Sequence, residues 1–254
     1  MMITYRMFAV WRRNFTVYKT FYKASLVGNI GEPVLYLFAM GFGIGSYITE
    51  MEGLSYIEYI APGLIITSSM YSATFECTFG SFTRLTVQRT FDSILNTPVS
   101  LSELVMGEIT WGMTKSMISG TTMMIIMTLF GLYTPDYSLP LILLTIMLTG
   151  YIFAAAALCC SSIAPSYDFF NYYFTLFITP MFFLSGVFFP MDNFPEAFQW
   201  FSQILPATGS VSLLRYFFHG IVSSPLYFSF CLLVVLSLGL TIAAIKITRN
   251  RLIK

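Results

Sequence analysis

Charged side chains are scarce in this sequence. Only 10% of its 254 residues are Asp, Glu, Lys or Arg, whereas about 25% is usual for a soluble domain. The hydrophobic fraction is 56% and the mean hydropathy is +0.74. This composition excludes an ordinary soluble globular domain and predicts a membrane protein. The net charge of +1 gives no reason to expect a nucleic-acid partner.

The residue types that build catalytic and metal sites are also rare. His219 is the only histidine, and no cysteine or carboxylate stands at metal-ligand spacing from it. The four cysteines, Cys77, Cys159, Cys160 and Cys231, lie in apolar runs, which favours small buried residues over metal ligands. A Ser-His-Asp or Cys-His site has no support. The pattern G-x-x-x-x-G-K-[ST] is missing, so the chain cannot bind and hydrolyse ATP by that route.

Long apolar segments make up most of the chain. A membrane-crossing helix needs about 20 mostly apolar residues, and six segments meet this requirement. We therefore predict an all-α polytopic membrane protein with six transmembrane helices. The predicted spans are residues 27–48, 59–82, 104–132, 139–163, 169–189 and 226–247.

Two further segments have an amphipathic pattern. Residues 4–23 alternate aromatic and basic positions, which is typical of a helix lying in the membrane interface; the alternative is a solvated helix. Residues 191–223 are divided by Pro195 and Pro206 into pieces too short to cross a bilayer. There we expect two short outer re-entrant helices, shielded by protein or by a watery cavity.

Basic residues are distributed unevenly along the chain. With the N-terminus in the cytoplasm, almost all of the 13 Lys and Arg residues fall on the cytoplasmic side, as the positive-inside rule requires. Only Arg215 lies outside, and Lys115 lies within a span. An even number of spans returns the C-terminus to the same side. Both termini are therefore predicted to be cytoplasmic, with a basic tail of Lys246, Arg249, Arg251 and Lys254.

One polar stretch, residues 83–104, separates the second and third spans on this cytoplasmic side. Apolar residues recur along it roughly at helical spacing: Leu85, Val87, Phe91, Ile94 and Leu95. Much of the other face is polar: Arg84, Gln88, Arg89 and Asp92. The run Asn96-Thr97-Pro98 breaks this pattern. The spacing predicts a short amphipathic helix over residues 84–96.

Charged residues inside the spans allow more than one interpretation. Glu76 would be very costly if it faced lipid, so it either lines a cavity or gate, or is a hydrogen-bonded or protonated carboxyl between helices. Lys115 follows Glu108 by seven residues and lies on a similar helix face. It either snorkels to the cytoplasmic interface or pairs with another span.

Aromatic residues are concentrated in the fifth span. Lipid-facing and interfacial rings explain most of them. The alternative is that some, with Phe182 and Phe183 as candidates, line a route for sugar rings or lipid tails.

Three groups of motifs together resemble the permease subunits of type-2 ABC exporters. The first is N-x-x-E-P-x-L-Y-L at Asn29–Leu37 followed by G-F-G-I-G at Gly41–Gly45. The second is the Thr97-Pro98-Val-Ser100 turn followed by Gly107-Glu108 and Trp111. The third is L-S-G-V-F-F-P at Leu184–Pro190, then Pro195 and Leu205-Pro206. The likeness covers nearly the whole chain. It is strongest to the exporter permeases of nodulation factors (lipo-oligosaccharides), followed by the permeases that export polysaccharides and drugs. Pro206-Ala-Thr departs from the family pattern, in which a larger apolar residue follows the proline.

This resemblance implies a transport role in a prokaryotic cell membrane. Two copies of the permease would pair with two copies of a separate cytoplasmic ABC ATPase, which would hold the ATP and Mg²⁺; no cofactor is expected in this chain. The helix over residues 84–96 would be the coupling helix, docking through Arg84, Gln88, Arg89, Phe91, Asp92 and Leu95. The first and fifth spans would form much of the permease–permease contact. The substrate would be amphipathic: a lipid-linked saccharide, a lipid or a drug-like molecule.

Two other classes of function compete with this interpretation. An ion-coupled secondary transporter would depend on Glu76 and needs no ATPase. A polytopic membrane enzyme would need a polar catalytic cluster at a membrane face, which the sequence does not offer.

Overall fold

The computed structural model describes residues 5–48, 50–221 and 225–252, and this part of the chain is helical without a β-strand. The prediction of an all-α protein is confirmed. The helices are α1 (Met7–Phe38), α2 (Tyr56–Phe75), α3 (Thr90–Leu95), α4 (Leu101–Leu129), α5 (Leu139–Ile163), α6 (Phe169–Tyr173), α7 (Thr179–Leu184), α8 (Glu196–Gln203), α9 (Pro206–His219) and α10 (Leu226–Leu252). Thr4, Val222, Ser223 and Lys254, which belong to predicted segments, lie outside the described residues.

Helix α2 lies at the centre of the bundle. All residues from 59 to 70 are buried, as expected for a helix that is apolar on every side. It packs against α4, α5, α9 and α1, while α10 covers α5 and α9. We call the end of the bundle that carries residues 87–98 the turn end, and the end that carries residues 50–55 and 130–138 the opposite end.

Two described helices, α5 and α10, are long and apolar enough to cross a membrane by length and composition. Helices α2 and α4 coincide with predicted spans but carry many hydroxyl groups, which lower their hydropathy. These hydroxyls point into the bundle: Ser68 and Ser119 lie 2.8 Å apart between α2 and α4. The six-span arrangement therefore stays a prediction.

The N-terminal region differs from the two predicted segments. A single helix, α1, covers both the expected interface helix and most of the first span. A π-helical turn, Ala39–Gly43, and a 3₁₀ turn, Ile44–Ser46, complete that span. The cause lies in the sequence: the three residues between the two segments are Ala24-Ser25-Leu26, and neither they nor Gly28 just after them must end a helix.

The predicted fifth span corresponds to a shorter helical region, Phe169–Leu184, whose middle is π-helical. A π-helical turn, Phe174–Ile178, separates α6 from α7, and α7 ends at Leu184, five residues before the predicted end. Gly186 then adopts a φ of 73°, a left-handed conformation that favours glycine. The chain continues through a 3₁₀ turn, Met191–Asn193, into the short helices α8 and α9.

Side-chain contacts hold α9 at the opposite end. The ring of Phe218 stacks on Tyr133 with centroids 4.4 Å apart, and Ser138 donates to the carbonyl of Phe217 at 3.1 Å. Ser138 also donates through its hydroxyl and its backbone N–H to the Asp136 carboxylate, which lowers the pKa of Asp136. The 130–138 loop and α9 therefore form one packed unit.

Close packing of α1 on α4 depends on Gly107. A Cβ atom there would lie 2.6 Å from Val10 Cβ and 2.9 Å from the Met7 carbonyl oxygen. We expect Gly107→Ala to destabilise the protein by about 1–3 kcal/mol through overpacking. Gly239→Ala is the matched control, because a Cβ there meets nothing within 4 Å and alanine favours the helix. Thermal unfolding in detergent checks this; equal melting temperatures for the two variants would contradict the packing argument.

Candidate functional site: a buried charge cluster beside an exposed turn

Four ionisable side chains meet where α2 ends and α4 begins. Arg84 lies 2.9 Å (Nη1) from Glu76 Oε1 and 2.7 Å (Nη2) from Glu108 Oε2, and Lys115 Nζ lies 3.2 Å from Glu76 Oε2. The Glu108 side chain is fully buried, and the other three are only 12–13% exposed. We call Glu76, Arg84, Glu108 and Lys115 the charge cluster. Its two cations balance its two carboxylates.

The remaining polar atoms of the cluster are also paired. Asn14 Nδ2 donates to Glu108 Oε1 at 2.7 Å, and Ser81 Oγ donates to Glu108 Oε2 at 2.9 Å. Lys115 Nζ donates to Ser25 Oγ at 2.7 Å. Buried ions are tolerated only when their partners are complete. The cluster therefore joins α1, the end of α2 and α4 through charge-assisted hydrogen bonds.

The backbone between Glu76 and Arg84 is adapted to this pairing. Two π-helical turns, Glu76–Gly80 and Thr83–Val87, follow α2 directly. Such turns change the direction of the side chains that follow and are frequent at functional sites. A Cβ atom on Gly80 would lie 2.9 Å from Glu76 Oε1 and 3.3 Å from Arg84 Nη1. Glycine at this position leaves room for the ion pair.

The predicted helix over residues 84–96 is interrupted in the structure. Arg89 adopts a φ of 48°, and only the six residues of α3 are α-helical after it. A left-handed non-glycine residue cannot continue a right-handed helix. The segment thus consists of the second π-helical turn, a left-handed break at Arg89 and the short helix α3.

Two of the predicted docking residues, Arg84 and Phe91, point inward. Arg84 is bound into the charge cluster because two buried carboxylates need a cation. Phe91 is 0% exposed and belongs to the main hydrophobic core, and Leu95 packs partly against that core. Of the six predicted contacts, the exposed ones are Gln88, Arg89 and Asp92. We call residues 87–98 the exposed turn.

The start of α4 is fixed directly after the exposed turn. Ser100 and Glu103 form a capping box, in which the backbone N–H of Ser100 donates to Glu103 Oε2 at 2.7 Å. This arrangement satisfies the free N–H groups at the beginning of a helix.

Helix α1 links the exposed turn to the charge cluster. The Arg6 guanidinium donates to the carbonyl of Pro98, and Arg13 Nη2 donates to Thr90 Oγ1 at 3.3 Å. Arg13 also donates to Oδ1 of Asn14 at 3.0 Å, and Asn14 in turn donates to Glu108. A displacement of the turn therefore reaches the cluster through α1 as well as through the chain itself.

A cavity of about 300 Å³ lies between α1 and the charge cluster. Arg13, Tyr18, Phe21, Gln88 and Trp111 are among its lining residues, together with three members of the cluster. The Lys115 ammonium lies 5.3 Å from the centroid of the Tyr18 ring, within the range of a cation–π contact. The cavity is thus polar on one wall and aromatic on the other.

The two phenylalanines assigned to a substrate route differ in position. Phe182 is 3% exposed and packs edge-on against Phe188, with centroids 5.0 Å apart, and against Tyr36. Its ring is part of the core because rings from α1 and from the segment after α7 pack against it. Phe183 is 51% exposed. A place on a substrate surface stays a prediction for Phe183.

Arg84 is expected to be essential for stability. Arg84→Gln leaves Glu76 and Glu108 buried with one cation fewer, and breaking a buried ion pair costs about 3–5 kcal/mol. Arg89→Gln is the control, because Arg89 is exposed and surface changes stay within about 0.5 kcal/mol. Thermal unfolding in detergent measures both variants. A melting temperature of Arg84→Gln equal to that of Arg89→Gln would show that the cluster contributes little to stability.

Comparison with known proteins gives a consistent result. The family model described as "ABC-2 type transporter" matches residues 5–219. Nodulation protein J of Sinorhizobium fredii (strain NGR234) is 42% identical over 207 residues, which is 82% of this chain and 79% of the relative. Nodulation protein J of Bradyrhizobium diazoefficiens is 42% identical over 211 residues, 83% of this chain and 80% of the relative. The inner membrane transport permease YadH of Escherichia coli (strain K12) is 30% identical over 227 residues, 89% of this chain and 88% of the relative.

These matches extend from α1 to α9 and include every residue of the charge cluster and the exposed turn within the family model. ABC-2 permeases are integral to bacterial membranes and work with an ATPase subunit. The chain belongs to the ABC-2 type transporter family as a membrane permease.

Proposed function

We propose that this chain is the permease subunit of an ATP-driven ABC exporter that moves an amphipathic substrate out of the cytoplasm or the inner leaflet. Two copies of the chain act with two copies of a separate ABC ATPase, which holds the ATP and Mg²⁺. The main observation behind this proposal is that the segments before and after the exposed turn, through Arg84 and Glu108, both take part in the charge cluster. Family membership and the nodulation relatives support this proposal.

The positions of the basic residues support a topology with both termini in the cytoplasm and six spans. Arg6, at the start of α1, contacts the exposed turn. Arg251, near the end of α10, donates to the carbonyl of Ala164 at 2.6 Å and lies over the Phe82 ring. Both ends of the described chain and the exposed turn thus lie at the turn end of the bundle. With that end in the cytoplasm, the positive-inside rule is met.

The exposed turn is the proposed docking site for the ATPase. Gln88, Arg89 and Asp92 offer a donor, a cation and an anion on one exposed segment of the chain. ATP-driven movement of the ATPase would displace the turn, and the ion pairs of Arg84 would carry this displacement to the ends of α2 and α4. Rigid, fully paired contacts suit such transmission, because packed interfaces shift between discrete arrangements.

The environment of Glu76 favours an ATP-driven permease over an ion-coupled carrier. Both oxygens of Glu76 are engaged by cations, Arg84 and Lys115. A carboxylate that exchanges protons or ions during transport must be able to release its partners. In this proposal Glu76 is a structural member of the cluster.

A second copy of the chain has an extended apolar surface available. Along α1 and the π-helical turn after it, Val27, Leu35 and Phe42 are 63–74% exposed. In the α6–α7 region, Tyr172 and Phe177 are 60–65% exposed. These segments are the ones that the family resemblance places in the permease–permease contact. We propose that lipid and a second copy share this surface in the membrane.

The docking role can be tested with a double variant, Gln88→Ala with Asp92→Ala. Both side chains are exposed, so we expect normal membrane insertion and stability. Association with the ATPase should be at least about tenfold weaker, because each polar contact removed from an interface costs about 1–3 kcal/mol. Co-purification with a candidate ABC ATPase measures the effect.

The matched control replaces two exposed acidic residues at the opposite end, Glu50→Ala with Glu196→Ala. It should keep full association. Undiminished co-purification of the docking variant would rule out the exposed turn as the contact. If no ATPase binds the unaltered chain, or transport continues after its removal, the exporter proposal is wrong.

A further inference from the structure

The cavity between α1 and the charge cluster is large enough for a small ligand group. Its volume is about 300 Å³, at the lower end of the range of about 300–1,000 Å³ that is usual for ligand sites. Three of its lining residues are exposed, Val17 and Phe21 on α1 and Gln88 on the exposed turn. The cavity is therefore open to the surface. We call it the α1 cavity.

Cations outnumber carboxylates around the α1 cavity. Arg13, Arg84 and Lys115 line it. Glu76 is the one carboxylate among the described residues that line it, and Glu108 is fully buried behind this wall. Even when both carboxylates are counted against the three cations, one positive charge is left over. A cavity of this kind attracts an anionic ligand.

Arg13 is the cation that has no carboxylate partner. Within the described part of the chain, its guanidinium donates to two neutral oxygens, Asn14 Oδ1 at 3.0 Å and Thr90 Oγ1 at 3.3 Å, and it forms no ion pair. Burial lowers the pKa of Arg13, the nearby Arg84 cation lowers it further, and Glu108 raises it by less. An anion beside Arg13 would offset both unfavourable effects.

The position of the cavity along α1 indicates the source of such an anion. The residues of α1 that line the cavity lie between positions 13 and 25, and the first predicted span begins directly afterwards, at position 27. With that span in the hydrocarbon, the cavity lies at the level of the lipid headgroups. Phospholipids carry their phosphate at this level.

Apolar side chains continue from the edge of the cavity along α1. Val17 is 51% exposed and Phe21 is 65% exposed at the cavity, and Val27 and Leu35 are exposed further along the helix. The acyl chains of a phospholipid would cover this surface while its phosphate lies in the cavity. Free phosphate would leave the same surface uncovered, so the apolar edge favours a lipid.

We propose that the α1 cavity binds the phosphate of an anionic membrane phospholipid, with Arg13 as its main cationic contact and the acyl chains along α1. The lipid remains bound beside the charge cluster and supplies the negative charge that Arg13 lacks within the chain. This binding requires the membrane location of the permease, but neither the ATPase nor an exported substrate.

Native mass spectrometry of the full chain in a neutral detergent, without ATP or ATPase, measures the binding. The probe is dioleoyl phosphatidylglycerol. Dioleoylglycerol, which lacks the phosphate, should bind at least about tenfold more weakly, because it cannot accept charge-assisted hydrogen bonds. Inorganic phosphate, which lacks the chains, should not displace the lipid at equal concentration, because it buries no apolar surface.

A first pair of variants separates the cavity from a general attraction between a basic helix and anionic lipid. Arg13→Gln should weaken binding of phosphatidylglycerol about tenfold or more, the effect of losing hydrogen bonds to a charged group. Arg12→Gln is the matched control, because Arg12 is the adjacent cation, is exposed and does not line the cavity. It should bind the lipid nearly as well as the unaltered chain. A general attraction would weaken equally in both variants.

A second pair leaves the contact between Arg13 and Thr90 in place. Val17→Glu puts a carboxylate one helical turn after Arg13, where it pairs with this cation and repels the lipid phosphate. Val17→Gln has nearly the same size and helix propensity without the charge, and position 17 is exposed in both. We expect binding of phosphatidylglycerol to be at least about threefold weaker in Val17→Glu than in Val17→Gln.

Several results would overturn the proposal. They are equal loss of lipid in Arg13→Gln and Arg12→Gln, equal binding by Val17→Glu and Val17→Gln, and binding of dioleoylglycerol as tight as that of phosphatidylglycerol. Displacement of the lipid by inorganic phosphate at equal concentration would also overturn it and would identify a site for free phosphate instead.

Discussion

The pairing of Arg84 with Glu76 and Glu108 is the interaction on which the turn end depends. Each carboxylate alone would be a buried charge costing several kcal/mol. Together with Lys115 they form a neutral group that fixes three helices relative to one another. The π-helical turns after α2 and the glycine at position 80 serve the same ion pairing, because the Arg84 guanidinium has to reach back to Glu76 at the end of α2.

The sequence predicted the parts of this fold that depend on local pattern. Apolar runs identified α2, α4, α5 and α10, since a buried helix needs little more than length and hydrophobicity. Pro195 and Pro206 predicted the two short helices α8 and α9, because proline is favoured at the start of a helix. The importance of Glu76 was also predictable from its cost inside an apolar segment.

The inward direction of Arg84 could not be predicted in the same way. The sequence pattern placed Arg84 on the polar face of an amphipathic helix together with Gln88 and Asp92. In the structure, the π-helical turn and the left-handed Arg89 direct Arg84 away from those two residues. Its partner Glu108 lies 24 residues further along the chain. Arg215 presents a similar case, because a lone cation in a short outer helix gave no sign that Tyr59 and Gly186 would bury it.

The two ends of the bundle differ in how completely their charges are paired, and α2 joins them. Tyr59 contacts Arg215 at the opposite end and Glu76 belongs to the charge cluster, and the two positions are about 25 Å apart along the helix at 1.5 Å per residue. The cluster is complete within the chain, which suits an element that transmits force. At the opposite end, Arg215 is buried against the Tyr59 ring and forms no ion pair within the described residues. Helix α2 is buried between these two positions. A displacement of its cluster end therefore has to be accommodated by the helices packed against α2. One of them is α9, which carries Arg215. The proposed docking site and the buried Arg215 are therefore joined by a single central helix.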